Sequence, residues 1–320
     1  MPCDDGPYVW DKSEHREGNL EGIGSTFQFR KSSLIASHIL KAKWIGKLIN
    51  SHEKEEGDQS RYFGLSYPSC DRNSLVVHQK QTPLRFVYVT EGNTSTVSRT
   101  VRNLQLSNTT VVVFDWEKMD EAHNFVVFDE TFRKRFHQQR LSRQTTKRKL
   151  GEFWVSIHFR WGDVKTKDPN KPDQRTGMGF TEYCLCIRYI LHNNPGIKIF
   201  LFAENFTSTN MCEALKSKNV HLFNESHSWK RDIDIMSQSQ LLIGGESSFF
   251  ILGAHLCEAC TVIHNSDFKF AESKYEKRLP KHLKAIYCPT QISCYLEFIR
   301  QNIKPSINNT SESNDLDDIV

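Results

Sequence analysis

The second half of the sequence alternates strand-like apolar runs with segments of helical spacing, and this alternation constrains the fold more than any other feature. The strand-like runs lie at residues 153–159, 197–203, 220–223, 241–243 and 261–264. Segments with helical spacing lie between them, from about residue 181, with Thr181 as the predicted N-cap, to Pro195, and over 208–217, 232–238 and 248–257. Strands that are apolar along their length are typical of a parallel sheet with helices on both faces. The pattern therefore predicts an α/β fold.

The length of 320 residues predicts two domains, because one hydrophobic core seldom grows beyond about 250–300 residues. We place an amino-terminal α/β domain at residues 1–150, a Rossmann-like domain at 151–300 and a polar, acidic tail at 301–320. Residues 26–49 have helical spacing, with Trp44 among the inward positions. The other elements expected in the first half are a basic helix over 131–149 and strands at 75–78, 85–89, 111–114 and 125–128.

Polar side chains follow three of the predicted strands at their carboxyl ends. His158, Arg160 and Asp163 belong to the first, Glu204 follows the second, and the turn Gly244-Gly245-Glu246-Ser247-Ser248 follows the fourth. Parallel strands bring these ends to one edge of the sheet, where α/β proteins bind ligands. Arg160 suits an anionic ligand, and the serine turn offers hydroxyls and helix amides to a phosphate. The structural alternative is that Arg160 only forms an ion pair with Asp163.

The nine cysteines leave three alternatives open. A zinc site is one, and its ligands would be Cys257, Cys260, Cys288 and Cys294. Disulfides such as Cys288–Cys294 are expected if the protein works in an oxidising compartment. Reduced core cysteines are the third alternative.

The sequence leaves two cellular locations open. No apolar run is long enough to cross a bilayer, and the first ten residues, MPCDDGPYVW, have no signal-peptide core. We therefore expect either a cytoplasmic protein or the trimmed part of a longer protein of the Golgi or ER lumen. A membrane would be a partner only if an anchor has been removed. The secretory setting is favoured by N-glycosylation sequons, which begin at Asn93, Asn108, Asn205, Asn224, Asn308 and Asn309.

Two segments resemble the fucosyltransferases that include the α-1,2, core α-1,6 and protein O-fucosyltransferases. HFRWGD, at residues 158–163, resembles their HxRxxD motif. DIDIMSQSQLLIGGESSF, at 232–249, is similar to the core α-1,6 segment in which an Asp opens a helix and a Ser-Ser turn follows an apolar strand. GIGSTF, LFAEN and GFTEYC resemble the family's glycine-rich turn, acidic strand end and next helix start. The clear resemblance covers residues 150–265.

The resemblance implies a GT-B fold, in which two Rossmann-like domains face a cleft, and an inverting, metal-independent transfer of fucose from GDP-fucose to a glycan or glycoprotein hydroxyl. Residues 151–300 would bind the donor and residues 1–150 the acceptor, with no cofactor besides the donor substrate. Arg160 would hold the β-phosphate, Asp232 would pair with the guanine, and Ser248 would hydrogen-bond the diphosphate. The other donor-binding candidates are His158, Glu204, Ser247, Gly22 and Gly24.

The acceptor hydroxyl must lose a proton, so a carboxylate near it is expected. Asp168 is our first choice for this base, because core α-1,6 enzymes place a glutamate near this point of the loop. Asp163 is expected to orient Arg160 or the loop. Two positions depart from the family: Trp161 stands where many relatives have a second arginine, and Ser25 where several have asparagine. Because of Trp161, the alternative stays open that this chain is an inactive relative of these enzymes, which binds nucleotide or glycan without catalysis.

Two further patterns point to other functions. Asp232 and Asp234 form a DxD triplet, which binds a divalent ion in metal-dependent glycosyltransferases, but aspartates at a helix start also stabilise the helix dipole. We expect no metal. The run 131–149 contains eight Lys or Arg residues with Phe132 and Phe136 among them, as a nucleic-acid-binding surface would. Because the net charge is only +4 and no nucleic-acid motif is present, we expect a solvated basic helix and no nucleic-acid partner.

Overall fold

The computed structural model describes residues 7–11, 33, 36–37, 40–45, 62–63, 84–89, 103–104, 106–114, 130–143, 147–160, 178–203, 212–223, 228–245, 247–265, 284–288 and 292–303. The chain divides into two compact units, Met1–Arg143 and Gln144–Val320. The strands are β1 (Tyr8–Asp11), β2 (Lys43–Ile45), β3 (Arg85–Val89), β4 (Thr110–Phe114), β5 (Trp154–Phe159), β6 (Lys198–Ala203), β7 (Val220–Phe223), β8 (Leu241–Gly244), β9 (Thr261–Asn265) and β10 (Lys284–Cys288). The helices are α1 (Glu130–Ser142), α2 (Phe180–Asn193), a 3-10 helix (Glu213–Lys216), α3 (Trp229–Met236), α4 (Ser248–Leu256) and α5 (Ile292–Asn302).

The first unit contains a four-stranded parallel sheet in the order β2-β1-β4-β3. Its central strand β4 is buried at every residue, as the sequence TVVVF requires of a strand covered on both faces. The strands predicted at 85–89 and 111–114 are confirmed, with β4 beginning one residue earlier. The strands predicted at 75–78 and 125–128 lie outside the described residues.

The predicted helix over residues 26–49 is wrong at its carboxyl end. Helical backbone is present at Ser33, Ser37 and Leu40, but Lys41 has a φ of 50°, which takes the chain out of the helix. The N–H of Lys43 then donates to the carbonyl of Pro7 at 2.8 Å and begins β2. Trp44 is buried as expected, but as a strand residue paired with β1.

The second unit contains a six-stranded parallel sheet in the order β10-β9-β8-β5-β6-β7. Numbered within this unit, the order is 6-5-4-1-2-3, which is the doubly wound order of a dinucleotide-binding Rossmann fold. The predicted α/β class is confirmed, and both units have the parallel sheet that a Rossmann-like domain is built on. The strands predicted from 153 to 264 are all present, and β10 with α5 follows the last of them.

Helices cover both faces of this second sheet, as apolar parallel strands predict. Along β5, Val155, Ile157 and Phe159 pack against α2 and α5 on one face. Trp154 belongs to the opposite face, where the buried side chains of α3 and α4 pack against the sheet. None of the helices in the described ranges combines the length and apolarity that crossing a bilayer requires.

Two helix starts and the type of one helix differ from the prediction. Helix α2 begins at Phe180 after Gly179, whose N–H donates to the Glu182 carboxylate, so Thr181 is not the N-cap. The helix predicted over 208–217 is a short 3-10 helix in the described residues. Helix α3 begins three residues before Asp232, because the Ser228 side chain caps it by accepting from a first-turn N–H.

Side chains at the amino edge of the second sheet hold the start of β5. The Gln240 side chain accepts a 2.8 Å bond from the Trp154 N–H, and the Trp154 indole N–H donates to Glu152 at 3.0 Å. Lys198 of β6 pairs with Glu152 at 2.7 Å. The hydrogen bond from Lys198 is the main reason that the pKa of Glu152 falls from 4.5 to about 2. This network fixes β5, whose other end carries the candidate site.

Candidate functional site

The topological switch point of the second sheet lies between β5 and β8. From β5, the chain first adds β6 and β7 on one side, and it then returns to add β8, β9 and β10 on the other. Ligands of open α/β sheets bind outside the carboxyl ends of the strands at such a point. The polar residues predicted after β5 and β8 are therefore at the place where this fold forms its principal ligand site.

The carboxyl end of β5 presents His158 and Arg160. His158 is in register with Gly244 of β8, and its ring centroid lies 5.8 Å from that of Phe249 and 6.2 Å from that of Phe250. The imidazole is therefore packed against the first turn of α4. Arg160 is the first residue after β5 and is partly buried. Since alternate strand residues share a face, we expect the Arg160 side chain to follow that of His158 on the side of α4.

The turn between β8 and α4 brings a helix amino terminus to the same edge. The N–H of Ser247 donates to the carbonyl of Gly245 at 2.9 Å. Helix α4 then begins at Ser248, and the buried N-cap residue Ser247 makes no side-chain cap hydrogen bond. The first-turn amides of a helix carry partial positive charge and lack helical acceptors, so this terminus suits an anion.

Tight packing makes glycine necessary at the end of β8. A Cβ on Gly244 would lie 2.7 Å from Cδ2 of the fully buried Phe250 ring. Phe249 and Phe250 were not among the predicted site residues, although they support the imidazole of His158 and the start of α4. The two phenylalanines that directly follow the serine turn are the sequence signal that could have identified them.

The aspartates of the DID triplet have different environments. Asp232 lies in the first turn of α3 and is partly buried, and its N–H donates to the carbonyl of Ser228 at 3.3 Å. Asp234 is buried. Helix α3 follows β7, so its amino terminus and Asp232 lie at the carboxyl edge of the sheet. Within the described residues, no three side chains of the metal-ligating types come together.

The other predicted site residues lie outside the described residues. This group consists of two glycines, three carboxylates and the two positions that depart from the family pattern: Gly22, Gly24, Asp163, Asp168, Glu204, Trp161 and Ser25. The ion pair between Arg160 and Asp163 belongs with them, and these expectations stay predictions.

The cysteine alternatives are resolved for seven of the nine residues. Cys184 forms a disulfide with Cys212, and Cys288 forms the predicted disulfide with Cys294. The proposed zinc site is wrong, because two of its four ligands are bonded to each other. The reduced core alternative holds for the remaining described cysteines, which are Cys186, Cys257 and Cys260.

The basic run differs from the expected solvated helix. Helix α1 buries Phe136 completely and Arg140 almost completely. The Arg143 guanidinium lies 4.0 Å above the Tyr62 ring and donates to the Tyr62 carbonyl. Phe136 therefore cannot stack on a nucleic-acid base, and the Phe132 side chain lies outside the described part of the chain.

Comparisons with known proteins find similar solved structures, but no matching family model or curated sequence. No model of a known protein family matches the chain, and no curated protein sequence matches it. POFUT1 solved in complex with GDP is 11% identical, with 80% of this chain and 95% of that chain covered and a TM-score of 0.44. The E. coli ADP-heptose LPS heptosyltransferase II is 8% identical, with 94% and 98% covered and a TM-score of 0.45. A family 9 glycosyl transferase from Veillonella parvula is 9% identical, with 95% and 92% covered and a TM-score of 0.42. Similarities at this level establish neither a family nor an activity for this chain.

Proposed function

We propose that this chain is a glycosyltransferase of GT-B architecture that transfers fucose from GDP-fucose to a hydroxyl group, with inversion and without a metal ion. The observation that carries the proposal is the placing of Arg160 directly after β5, at the switch point, beside the strand that leads into the amino terminus of α4. A guanidinium and a helix amino terminus at this edge form a site for a diphosphate.

The leaving diphosphate gains negative charge as the bond between the sugar and its phosphate oxygen breaks. Arg160 can donate two parallel N–H bonds to a phosphate, and the start of α4 adds amides and the Ser248 hydroxyl. The backbone that leads into Arg160 is held in place before the reaction, because β5 is hydrogen-bonded on both sides by β6 and β8. Preorganised donors aimed at developing charge stabilise a transition state strongly.

Guanine selectivity is assigned to Asp232. A carboxylate can accept two hydrogen bonds from the two N–H groups on the guanine edge, an arrangement that uracil, cytosine and adenine do not offer. The support is the position of Asp232 at the carboxyl edge of the sheet, where a nucleotide bound at the switch point extends. Glu204, which follows β6 in sequence, is assigned to the nucleoside, and His158 and Ser247 complete the donor side.

In the transfer itself, the acceptor oxygen attacks the anomeric carbon on the face opposite the diphosphate, so the new glycosidic bond has inverted configuration. The acceptor proton passes to a carboxylate, which we assign to Asp168, and GDP leaves with the electron pair of the broken bond. Asp163 is assigned to orienting Arg160. Gly22 and Gly24, in the glycine-rich turn predicted for the first unit, are also assigned to the donor. We expect the first unit to bind a glycan or glycoprotein acceptor.

A thermal-shift panel with GDP, UDP, ADP and CDP tests the donor assignment. GDP should stabilise the protein more than the other three, and equal stabilisation by all four would overturn the proposal. Asp232→Ala should remove the preference at a cost of about 1.5–3 kcal/mol in GDP binding, typical of a hydrogen bond to a charged group. Asp232→Asn keeps a polar side chain in the first turn and should also lose the preference.

Turnover assays separate the remaining alternatives. Hydrolysis or transfer of GDP-fucose that survives EDTA supports the metal-independent enzyme, whereas activity lost with chelator and restored by Mn²⁺ or Mg²⁺ would favour the DID triplet as a metal site. Selective GDP binding without turnover would favour the alternative that the chain binds nucleotide or glycan but has lost catalysis, which the tryptophan at position 161 leaves open. Salt-dependent RNA binding without nucleotide selectivity would favour the alternative of a nucleic-acid-binding protein with a basic surface.

We also infer a secretory location, in the Golgi or ER lumen. The two disulfides support it, because disulfides persist in oxidising compartments and are rare in the cytosol. Recovery of the protein with free thiols at Cys184 and Cys212 from its native cells would contradict this location.

A further inference from the structure

We propose that Asn108 is an N-glycosylation site. The residues Asn108-Thr109-Thr110 form the Asn-x-Thr acceptor sequence, and Asn108 lies in an exposed turn directly before β4. The other five sequons begin at positions outside the described residues. Asn108 is therefore the sequon whose folded environment is described, and that environment accommodates a bulky, soluble substituent.

The turn at Asn108 is stabilised by its neighbours. The N–H of Thr110 donates to the Ser107 carbonyl at 3.0 Å, and the N–H of Ser107 donates to the Thr110 hydroxyl at 3.0 Å. The Ser107 hydroxyl lies 3.0 Å from Thr109 Oγ1 and 2.9 Å from Thr110 Oγ1. None of these bonds uses the Asn108 side chain. A sugar on its Nδ2 atom therefore leaves the bonds of the turn intact.

The position of Asn108 also keeps a glycan away from the carboxyl edge of the first sheet. Strand β4 pairs with β1 and β3 in parallel, and Asn108 precedes its first residue. Asn108 is thus at the amino edge of the sheet, whereas ligands of parallel sheets bind at the carboxyl edge. Glycosylation here is compatible with a ligand site at the other end of the same strands.

The modification joins Asn108 Nδ2 to the anomeric carbon of an oligosaccharide carried on a lipid diphosphate, which is the donor class that we infer. The bond between that carbon and the diphosphate oxygen breaks, the lipid diphosphate leaves with the electron pair, and the amide nitrogen loses one proton to a base. In the folded protein the Thr110 side chain is buried and bonded to Ser107. The acceptor sequence is therefore accessible before this turn folds, and the sugar is added during synthesis.

The test uses the full chain, expressed behind a secretion signal in cultured eukaryotic cells, and the disulfide-bonded fraction is analysed. Enzymatic removal of N-glycans in heavy-oxygen water converts a glycosylated asparagine to labelled aspartate, which peptide mass spectrometry locates. We expect the label at Asn108 in most molecules. An unlabelled Asn108 in this fraction would overturn the proposal.

Matched variants separate the acceptor sequence from the fold of the turn. Thr110→Ser and Thr109→Ala keep the acceptor pattern and should retain the glycan, whereas Thr110→Val and Asn108→Gln should each remove it. Glycan loss in Thr109→Ala, or glycan retention in Thr110→Val, would contradict the assignment. Folded protein made in bacteria should stay unmodified when it is mixed with the lipid-linked donor and eukaryotic microsomal membranes, and modification at Asn108 would refute addition before folding.

Discussion

Replacing Gly244 with alanine should destabilise the second unit, because the added methyl group has no room. A Cβ at this position would lie 2.7 Å from Cδ2 and 2.8 Å from Cε2 of the Phe250 ring. Carbon atoms in favourable contact are about 3.5–4.0 Å apart. Phe250 is fully buried against the sheet, so the ring cannot move into solvent. Overpacking of this kind costs about 1–3 kcal/mol.

Part of this cost is offset, because alanine also restricts the unfolded chain. That effect stabilises a protein by about 0.4–1 kcal/mol where the native backbone accepts alanine, so we expect a net loss of about 1–2 kcal/mol in the free energy of unfolding. Gly196→Ala is the matched control, since its nearest contact is the Asn194 Oδ1 atom at 3.6 Å. Urea denaturation followed by tryptophan fluorescence measures both variants.

The clash can be relieved by shortening the ring side chain. Phe250→Leu should cost less in the Gly244→Ala background than in the wild-type protein, with a coupling energy of about 0.5–3 kcal/mol in a double-mutant cycle. Because Phe250 lies in the first turn of α4, Gly244→Ala should also weaken GDP binding. Equal stability of the Gly244→Ala and Gly196→Ala proteins, or strict additivity in the cycle, would refute the packing argument.

Three further predictions concern stability. Tyr295→Phe should raise the free energy of unfolding by about 1 kcal/mol in thermal denaturation, because the Tyr295 hydroxyl is buried with no hydrogen-bond partner in the described residues; a clear loss of stability would contradict this. Glu152→Gln should flatten the acid limb of stability between pH 4.5 and about 2, because a lowered folded-state pKa gives stability that is present above the unfolded value and lost as the pH falls; an unchanged acid limb would contradict the ion pair. Replacing Cys184 and Cys212 by serine should cost about 3–4 kcal/mol in urea denaturation, as expected for a loop closed over a separation of 28 residues; a cost below that of removing the other disulfide, whose separation is 6, would contradict the loop argument.

The second sheet could be predicted because its strands are apolar on both faces. Strand β5 is predicted at 153–159 and found at Trp154–Phe159, since five of the seven residues in this run are apolar and polar residues follow it. Because the carboxyl ends of parallel strands share one edge, the same pattern also predicted the neighbouring positions of His158 and the turn before Ser248.

The elements that were missed lack this periodic signal. Strand β1 is four residues long and includes a terminal aspartate, and β2 is three residues long. The pairing of β1 with β2 and with β4 is a tertiary contact, which a local pattern does not encode. Aspartates at a helix start predict that α3 begins at Asp232, whereas the Ser228 side chain provides the cap. The Gly244–Phe250 contact depends on side-chain packing and could not be read from spacing.

The central claim is that Arg160 stabilises the charge that develops on the leaving diphosphate, and steady-state kinetics of Arg160→Lys with GDP-fucose test it most directly. Lysine keeps the charge but loses the planar fork, so kcat should fall by about a hundred- to a thousandfold, with a smaller change in KM. Arg188→Lys, at an exposed position on α2, is the matched control and should leave kcat unchanged. If Arg160 only pairs with Asp163, Arg160→Lys would be folded and have a kcat close to that of the wild-type protein, and that result would contradict the account.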